Sequence, residues 1–164
     1  MKDKVYLNFA VNLIVVLTVC SCSTVNEWVG TKLGLDTDLH LNIKANADIN
    51  PDDSNRPSPL FIRLYELKTE KMFKRADFID LYERDKQVLG SDFVARQELK
   101  RIVPGVTRKE EFVLSKDTKY IALYAEFLNY KTSVFKVITP VTSNNVIATT
   151  VTVEINSNNL KLIQ

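Results

Sequence analysis

The chain has 164 residues, of which 45% are hydrophobic and 26% charged, and its net charge is +2. This length allows one domain of about 100 to 200 residues besides a leader, and it argues against a multidomain enzyme. The small net charge excludes the strong positive field that binding to nucleic-acid phosphates requires. One His, four Gly and two Cys leave few groups for general-base, metal or phosphate chemistry. We therefore expect a binding or structural protein that is not an enzyme and has no nucleic-acid partner.

The first residues have the layout of a bacterial signal peptide. Lys2 and Lys4 precede an uncharged, mostly apolar stretch at 5–19, and small residues follow it. This stretch is shorter than the roughly 20 residues of a membrane-spanning helix. We expect a lipoprotein signal peptide over 1–21, and an uncleaved membrane anchor is the alternative.

The segment 17–22, Leu-Thr-Val-Cys-Ser-Cys, resembles the lipobox of bacterial lipoproteins, in which a small residue precedes the Cys that is acylated. Ser21 occupies the small-residue position if Cys22 is the acceptor, whereas a bulkier Val would occupy it for Cys20. We choose Cys22 as the site of lipid attachment and keep Cys20 as the alternative register. Ser23 follows in place of an Asp, so the resemblance implies sorting to the outer membrane, on its periplasmic face.

Processing at Cys22 would leave no free thiol, so no disulfide is expected and the covalent lipid would be the only cofactor. Residues 22–38 are polar and are interpreted as the acylated N-terminus and a tether, and the folded domain is expected over 39–164. Trp28 lies within the tether. We interpret it as packing on the edge of the domain, with a membrane-interface or partner anchor as the alternative.

Alternation of apolar and polar residues over 39–49 predicts the first strand, with one solvent-facing side. His40 lies on this polar side. No second His or Cys is available to share a metal, so we interpret His40 as solvated, with a metal ligand or a hydrolase base as alternatives. Further strands are predicted at 60–67, 97–103, 110–114, 120–127 (central), 133–138, 146–155 and 160–163.

A helical insertion near 76–94 is predicted after the second strand. Asp77 is a candidate N-cap, Phe78 and Leu81 fall at helical spacing, and Gly90 is a stop signal. The basic residues within 68–75 are interpreted as a solvated surface. Seven or eight short strands with one helical insertion predict an all-β fold, an antiparallel two-sheet β-sandwich.

The segment 50–59 is predicted to be a long exposed loop and is the candidate partner-binding site. Its residues are Asn50, Pro51, Asp52, Asp53, Ser54, Asn55, Arg56, Pro57, Ser58 and Pro59. The prolines restrict the loop and lower the entropy lost on docking; the alternative is that they only stop strand pairing at an edge. A calcium site on Asn50, Asp52 and Ser54 is disfavoured, because the Gly and the distal Glu of an EF-hand loop are missing. No metal site is expected.

Several further segments match the sequence pattern of a known family. They occur in the family's order and extend over nearly the whole chain after the leader. They are Asn-Pro-Asp at 50–52, Arg-Pro-Ser-Pro at 56–59, Ile-Arg-Leu-Tyr-Glu-Leu at 62–67, Phe73 with Ala-Asp-Phe at 76–78 and Leu81, Leu-Gly at 89–90, Val-Pro-Gly at 103–105 and Lys-Tyr-Ile-Ala-Leu-Tyr-Ala-Glu-Phe at 119–127. Together they resemble the TssJ (SciN) family, the outer-membrane lipoproteins of type VI secretion systems. The chain departs from the pattern at Leu128 and Lys136, where the family tends to carry Arg.

The resemblance implies a transthyretin-like sandwich with an added helical element, anchored in the outer membrane. It also implies that the 50–59 loop binds the periplasmic C-terminal region of TssM, which forms an envelope-spanning core with TssL. A second hypothesis is a lipoprotein module that binds a small ligand or cell-wall glycan through Tyr65, Tyr120, Tyr124 and Tyr130, although these side chains are more typical of a packed core.

Overall fold

The computed structural model describes residues 37–142 and 148–163. The predicted signal peptide, Cys20, Cys22 and Trp28 lie outside the described residues, and so does most of the turn expected at 142–145. No helix in the described part of the chain is both long and apolar enough to cross a membrane.

In the described ranges, eight strands form two four-stranded sheets, which confirms the predicted β-sandwich. The strands are β1 (Thr37–Ala45), β2 (Ile62–Leu67), β3 (Phe93–Glu98), β4 (Thr107–Leu114), β5 (Tyr120–Ala125), β6 (Lys136–Pro140), β7 (Thr149–Asn156) and β8 (Asn159–Ile163). The first sheet has the order β4-β1-β7-β8 and the second has the order β3-β2-β5-β6. As predicted for the central strand, β5 lies inside its sheet.

The pairing between β1 and β7 differs from the all-antiparallel arrangement that the sequence predicted. These two strands run parallel, with Leu41 opposite Val151 and Ala45 opposite Ile155, whereas every other pair of named strands is antiparallel. Most of the chain separates β1 from β7, so no hairpin dictates their relative direction.

Predicted and observed strand ends differ for most strands, and the first and third strands show the physical reason. The strand predicted at 97–103 is wrong: β3 covers Phe93–Glu98, and the apolar residues that follow belong to an irregular segment. Within that segment Ile102 is buried and forms an isolated bridge with Leu60. The strand predicted at 39–49 ends at Ala45, although Ile49 is also fully buried. In both cases apolar side chains fill the core from loops, which alternation alone does not distinguish from strands.

The main core lies between the two sheets. Its side chains include Leu39, Leu41, Ile43, Ile62, Leu64, Leu123, Val153 and Ile155. Complete burial of one such side chain stabilises the fold by about 1.5–3 kcal/mol. The alternation of apolar and polar residues in the sequence therefore reflects the side chains that face this core.

Three short helices follow β2, where the sequence predicted one helix that begins near residue 76, with a break near 84–86 and a short turn over 91–94 as the alternative; the structure has the break at residue 84. They are α1 (Lys71–Arg75), α2 (Phe78–Glu83) and α3 (Asp85–Leu89), followed by a 3₁₀ turn at Gly90–Asp92. The Asp77 carboxylate accepts a hydrogen bond from the backbone N of Asp80 at 2.8 Å, so Asp77 is the N-cap of α2. Gly90 ends α3 with a φ of 51°. The N-cap at Asp77 begins α2 as a new helix, so α1 and α2 are separate helices.

The helices cover the outer face of the second sheet and form a second core. It contains Tyr65, Leu67, Phe73, Phe78, Leu81, Leu89, Ala122 and Tyr124. Strands β2 and β5 are consequently buried on both faces, and this explains the nearly continuous apolar sequence of β5.

The two ends of the sandwich carry different connections. The segment before residue 37 precedes the first residue of β1, and the 50–59 loop begins after residues 46–49, which follow the last residue of β1. A strand of this length spans about 30 Å. The segment 126–135 and the β7–β8 turn lie at the same end as the loop, because Ile62 pairs with Ala125 and Ala45 pairs with Ile155.

Candidate partner-binding site

Asn50 holds the base of the 50–59 loop. Its side chain is buried, its amide Nδ2 donates to the carbonyl of Pro59 at 3.0 Å, and its Oδ1 accepts from the backbone N of Leu128 at 2.8 Å. The backbone N of Asn50 donates to the carbonyl of Ser157 at 2.9 Å. Its φ of 49° lies in the left-handed region, which Asn tolerates better than most residues. One side chain therefore joins the two ends of the loop and connects them to segment 126–135.

Asp52 closes the tip of the loop around Arg56. Its Oδ1 accepts from the backbone N atoms of Ser54 and Arg56, both at 2.9 Å, and its Oδ2 accepts from the Arg56 guanidinium at 2.9 and 2.8 Å. The hydrogen bond from the backbone N of Arg56 is the main cause that lowers the pKa of Asp52 below its usual value. The bond from the Arg56 side chain acts in the same direction. A second backbone bond joins Asp52 N to the Arg56 carbonyl at 3.0 Å. The tip thus has a defined conformation held by its own contacts.

The loop residues divide into two groups by exposure. Asn50 is buried and Asp52 is half-buried, whereas the residues of 53–57 are all exposed. The side chain of Arg56 is 78% exposed even though its guanidinium binds Asp52. Asn50 and Asp52 therefore shape the loop, and 53–57 form the surface that a partner can contact.

A cleft of about 390 Å³ lies beside the loop. Four of its lining residues belong to the predicted loop, and four others come from elsewhere in the chain: Leu128, Asn129, Ser157 and Asn158. Sequence reasoning missed these four as site residues. The run Asn-Ser-Asn-Asn at 156–159 is a recognisable turn signal, but nothing in the sequence indicates that this turn lies next to the loop.

His40, the candidate metal ligand or hydrolase base, lies in β1, outside the cleft beside the loop. The candidate calcium ligands of the loop already bind other groups of the chain. His40 is half-buried on the outer side of the first sheet, with its Nδ1 3.5 Å from Glu111 Oε1. Within residues 37–142 and 148–163 no group of three His, Cys, Asp or Glu side chains could hold a metal ion. The side-chain oxygens of Asn50 and Asp52 already accept hydrogen bonds from the chain itself. The described residues therefore bring no metal-ligand set together at His40 or at the loop.

The four tyrosines of the glycan-binding hypothesis do not share an exposed surface. Tyr65 and Tyr124 are fully buried, and their hydroxyls donate to Asp85 Oδ2 at 2.8 Å and to the Phe78 carbonyl at 3.1 Å. Burial is the main cause that raises the pKa of both hydroxyls above the usual value. Two of the four rings are therefore unavailable for stacking on a sugar.

A family model matches residues 37–158, and its description reads type VI secretion lipoprotein, VasD, EvfM, TssJ, VC_A0113. The match covers most of the chain. The chain belongs to this TssJ family of type VI secretion lipoproteins. It is thereby a member of a family of structural components of the secretion system, and the resemblance noted from the sequence motifs is confirmed.

Solved structures show the same fold, and 11 chains match significantly. The T6SS lipoprotein TssJ1 from Pseudomonas aeruginosa is 23% identical, with a TM-score of 0.71 over 78% of this chain and 95% of that one. A chain in a structure of the type VI membrane complex is 25% identical, with a TM-score of 0.67 over 79% and 99%. A chain in a structure described as the T6SS protein TssM C-terminal domain (869–1107) from EAEC is 26% identical, with a TM-score of 0.64 over 76% and 99%. No curated protein matches the chain significantly.

Proposed function

We propose that this TssJ-family protein is anchored in the outer membrane by a lipid and tethers the periplasmic C-terminal region of TssM through the 50–59 loop. TssL would then be linked indirectly, through TssM. Family membership and the similarity to chains in structures of the type VI membrane complex and of the TssM C-terminal domain support this proposal.

The anchor is proposed to be the lipid on Cys22, after removal of a signal peptide over 1–21. The several acyl chains of a bacterial lipoprotein exceed the two membrane signals that stable anchoring needs. Residues 22–38 would then form the tether between the membrane and β1. This assignment rests on the lipobox-like segment at 17–22.

The observation that carries the proposal is the position of the loop. The tether would join β1 at one end, and the 50–59 loop follows the other end of β1, about 30 Å away. A protein that links a membrane to a periplasmic partner needs its anchor and its docking surface apart. Here β1 separates the first residue of the folded domain, which the tether would precede, from the loop.

The conformation of the loop also favours binding. Asn50 holds its base, and the contacts between Asp52 and Arg56 hold its tip. Three prolines restrict the remaining backbone. A loop that is already ordered loses less conformational entropy when it docks, so more of the contact energy appears as affinity.

The test is a binding assay with detergent-solubilised, tagged full-length protein and the purified periplasmic region of TssM. In one variant a Gly/Ser linker replaces residues 50–59. In the matched control a Gly/Ser linker replaces 115–117, the exposed β4–β5 turn at the opposite end of the sandwich. We expect the native chain and the control to bind, and the loop variant to lose binding. Equal binding by all three proteins would contradict the proposal.

A further inference from the structure

We propose that the cleft beside the 50–59 loop is part of the same docking surface, and that Leu128 and Asp53 determine its specificity for a partner segment that pairs a cationic side chain with an apolar one. This inference rests on the proposed function and extends it from one loop to three segments. The segments are the 50–59 loop, 126–135 and the β7–β8 turn.

Direct contacts make the three segments one continuous surface. Asn50 is bonded to Leu128 at 2.8 Å through its side chain and to Ser157 at 2.9 Å through its backbone. The backbone N of Val134 donates to the Asn158 carbonyl at 3.1 Å, which joins segment 126–135 to the turn. A partner that contacts the exposed tip of the loop therefore meets the cleft on the same face.

Leu128 supplies the apolar part of this surface. Its side chain is 60% exposed, which is the largest exposure among the large apolar residues of the described chain. The bond from its backbone N to Asn50 fixes its position at the cleft. A partner segment in the cleft would remove this side chain from water, and burial of apolar surface favours association.

The charge of the cleft favours a cationic partner. Asp52 is neutralised by Arg56, but Asp53 lines the cleft, is exposed, and forms no ion pair with any described residue. The cleft therefore presents one exposed carboxylate that has no ion-pair partner among the described residues, and an Arg or Lys side chain of a partner can bind it.

The polar lining favours a protein segment as the occupant. Small-molecule sites are mostly apolar, whereas the lining side chains of this cleft are mainly Asp, Asn and Ser. Its continuity with the loop tip points to the protein that the loop binds, which the proposed function identifies as TssM.

The experiment compares point variants of the full-length, detergent-solubilised protein by titration with the purified periplasmic region of TssM. Leu128→Asp and Asp53→Lys should each weaken binding about 10-fold or more, because an apolar contact or a charge pair is lost. Val113→Asp is the matched control, since Val113 is 52% exposed on β4, away from the cleft. The control should change the affinity less than about twofold. Thermal unfolding of every variant shows whether the fold is retained.

The outcomes separate the inference from the function on which it rests. If replacing 50–59 abolishes binding but Leu128→Asp and Asp53→Lys bind like the native chain, the cleft is not part of the docking surface and the inference is overturned. If the loop replacement also binds like the native chain, or if the native chain does not bind, both the inference and the proposed function are overturned. Weakening by Val113→Asp equal to that by Leu128→Asp would also overturn the specific role of the cleft.

Discussion

Asp85 lies beneath the helical insertion with only 7% of its surface exposed, yet it binds three donors. Its Oδ2 accepts from the Tyr65 hydroxyl at 2.8 Å and from Arg96 at 2.7 Å, and its Oδ1 accepts from the backbone N of Lys86 at 2.6 Å. Burial by itself raises the pKa of Asp85, but the hydrogen bonds from Arg96, Tyr65 and Lys86 outweigh it. The pKa is therefore below its usual value, and the carboxylate ties α3 to β2 and β3.

We predict that Asp85→Asn lowers the free energy of unfolding by about 2 kcal/mol at pH 7, because the Arg96 guanidinium and the Tyr65 hydroxyl lose a charged acceptor. The pKa of Asp85 is lower in the folded than in the unfolded chain. Its contribution is thus present above about pH 4 and is lost as the pH falls through the folded-state pKa. Urea unfolding at pH 7 and pH 3 measures this difference.

The exposed Asp53→Asn variant is the control for this experiment and should unfold like the native chain at pH 7. A difference between native protein and Asp85→Asn that is equally large at pH 3 and pH 7 would contradict the assignment of the effect to the carboxylate.

Glu66 is a second buried carboxylate, and its role was not predictable from the sequence. It is 2% exposed at the end of β2, and its Oε2 accepts from the backbone N of Ser115 at 2.7 Å and from the Thr118 hydroxyl at 2.6 Å. A Glu at this position of an alternating strand is compatible with either a core or a surface role. Only the β4–β5 turn, about 50 residues later in the chain, supplies its donors.

Among the elements, α1 depends on a residue from the opposite side of the second core. The Lys136 ammonium donates to the carbonyls of Phe73 and Lys74, both at 2.9 Å, and to that of Ala76. A cation at the C-terminal end of a helix satisfies carbonyls that lack partners within the helix and interacts favourably with its dipole. Burial lowers the pKa of Lys136, whereas the charge of Asp77 acts in the opposite direction. A five-residue helix has no stability of its own, so this contact holds it in place.

We predict that Lys136→Met lowers the free energy of unfolding by about 2 kcal/mol, because partly buried carbonyls lose a charged donor. Chemical denaturation of both proteins measures the change. Lys131→Met, at an exposed position in the segment that precedes β6, is the matched control and should change the free energy of unfolding by less than about 0.5 kcal/mol. Equal effects of the two substitutions would show that the contacts with α1 contribute nothing specific.

Element boundaries show where local pattern was sufficient and where it was not. The N-cap at Asp77 and the stop at Gly90 were predicted correctly, because a cap depends on residues within one turn. The position of β3 was not, because Leu99 and Ile102 are buried from an irregular segment. Apolar residues in a loop that enters the core have the same local signature as a strand.

For the whole molecule, the chain of the proposed tether continues into the first residue of β1, and the proposed docking surface lies at the other end of this strand. We predict that Cys22→Ser releases the protein from membranes but leaves its affinity for the periplasmic region of TssM unchanged. The lipid makes no contribution to a surface that lies about 30 Å from the start of the folded domain. Membrane fractionation measures the first effect, and titration of the purified soluble variant measures the second.

Cys20→Ser is the control for the register of acylation and should remain bound to the membrane. If Cys20→Ser is released while Cys22→Ser stays bound, the lipid is attached at Cys20. If Cys22→Ser is released but no longer binds TssM, the two ends of the protein are not independent.

The sequence alone determined the two-sheet sandwich, the loop at 50–59 and the family, because alternation, turn residues and ordered motifs are short-range patterns, but the burial of Asn50 in this loop was not predicted. Only the tertiary structure decided the parallel pairing of β1 with β7, the dependence of α1 on Lys136, and the cleft that Leu128 and Asn158 share with the loop. Asn50 and Leu128 are 78 residues apart in the chain but are joined by one hydrogen bond. Such contacts depend on how complete sheets pack, and this packing leaves no local pattern in the sequence.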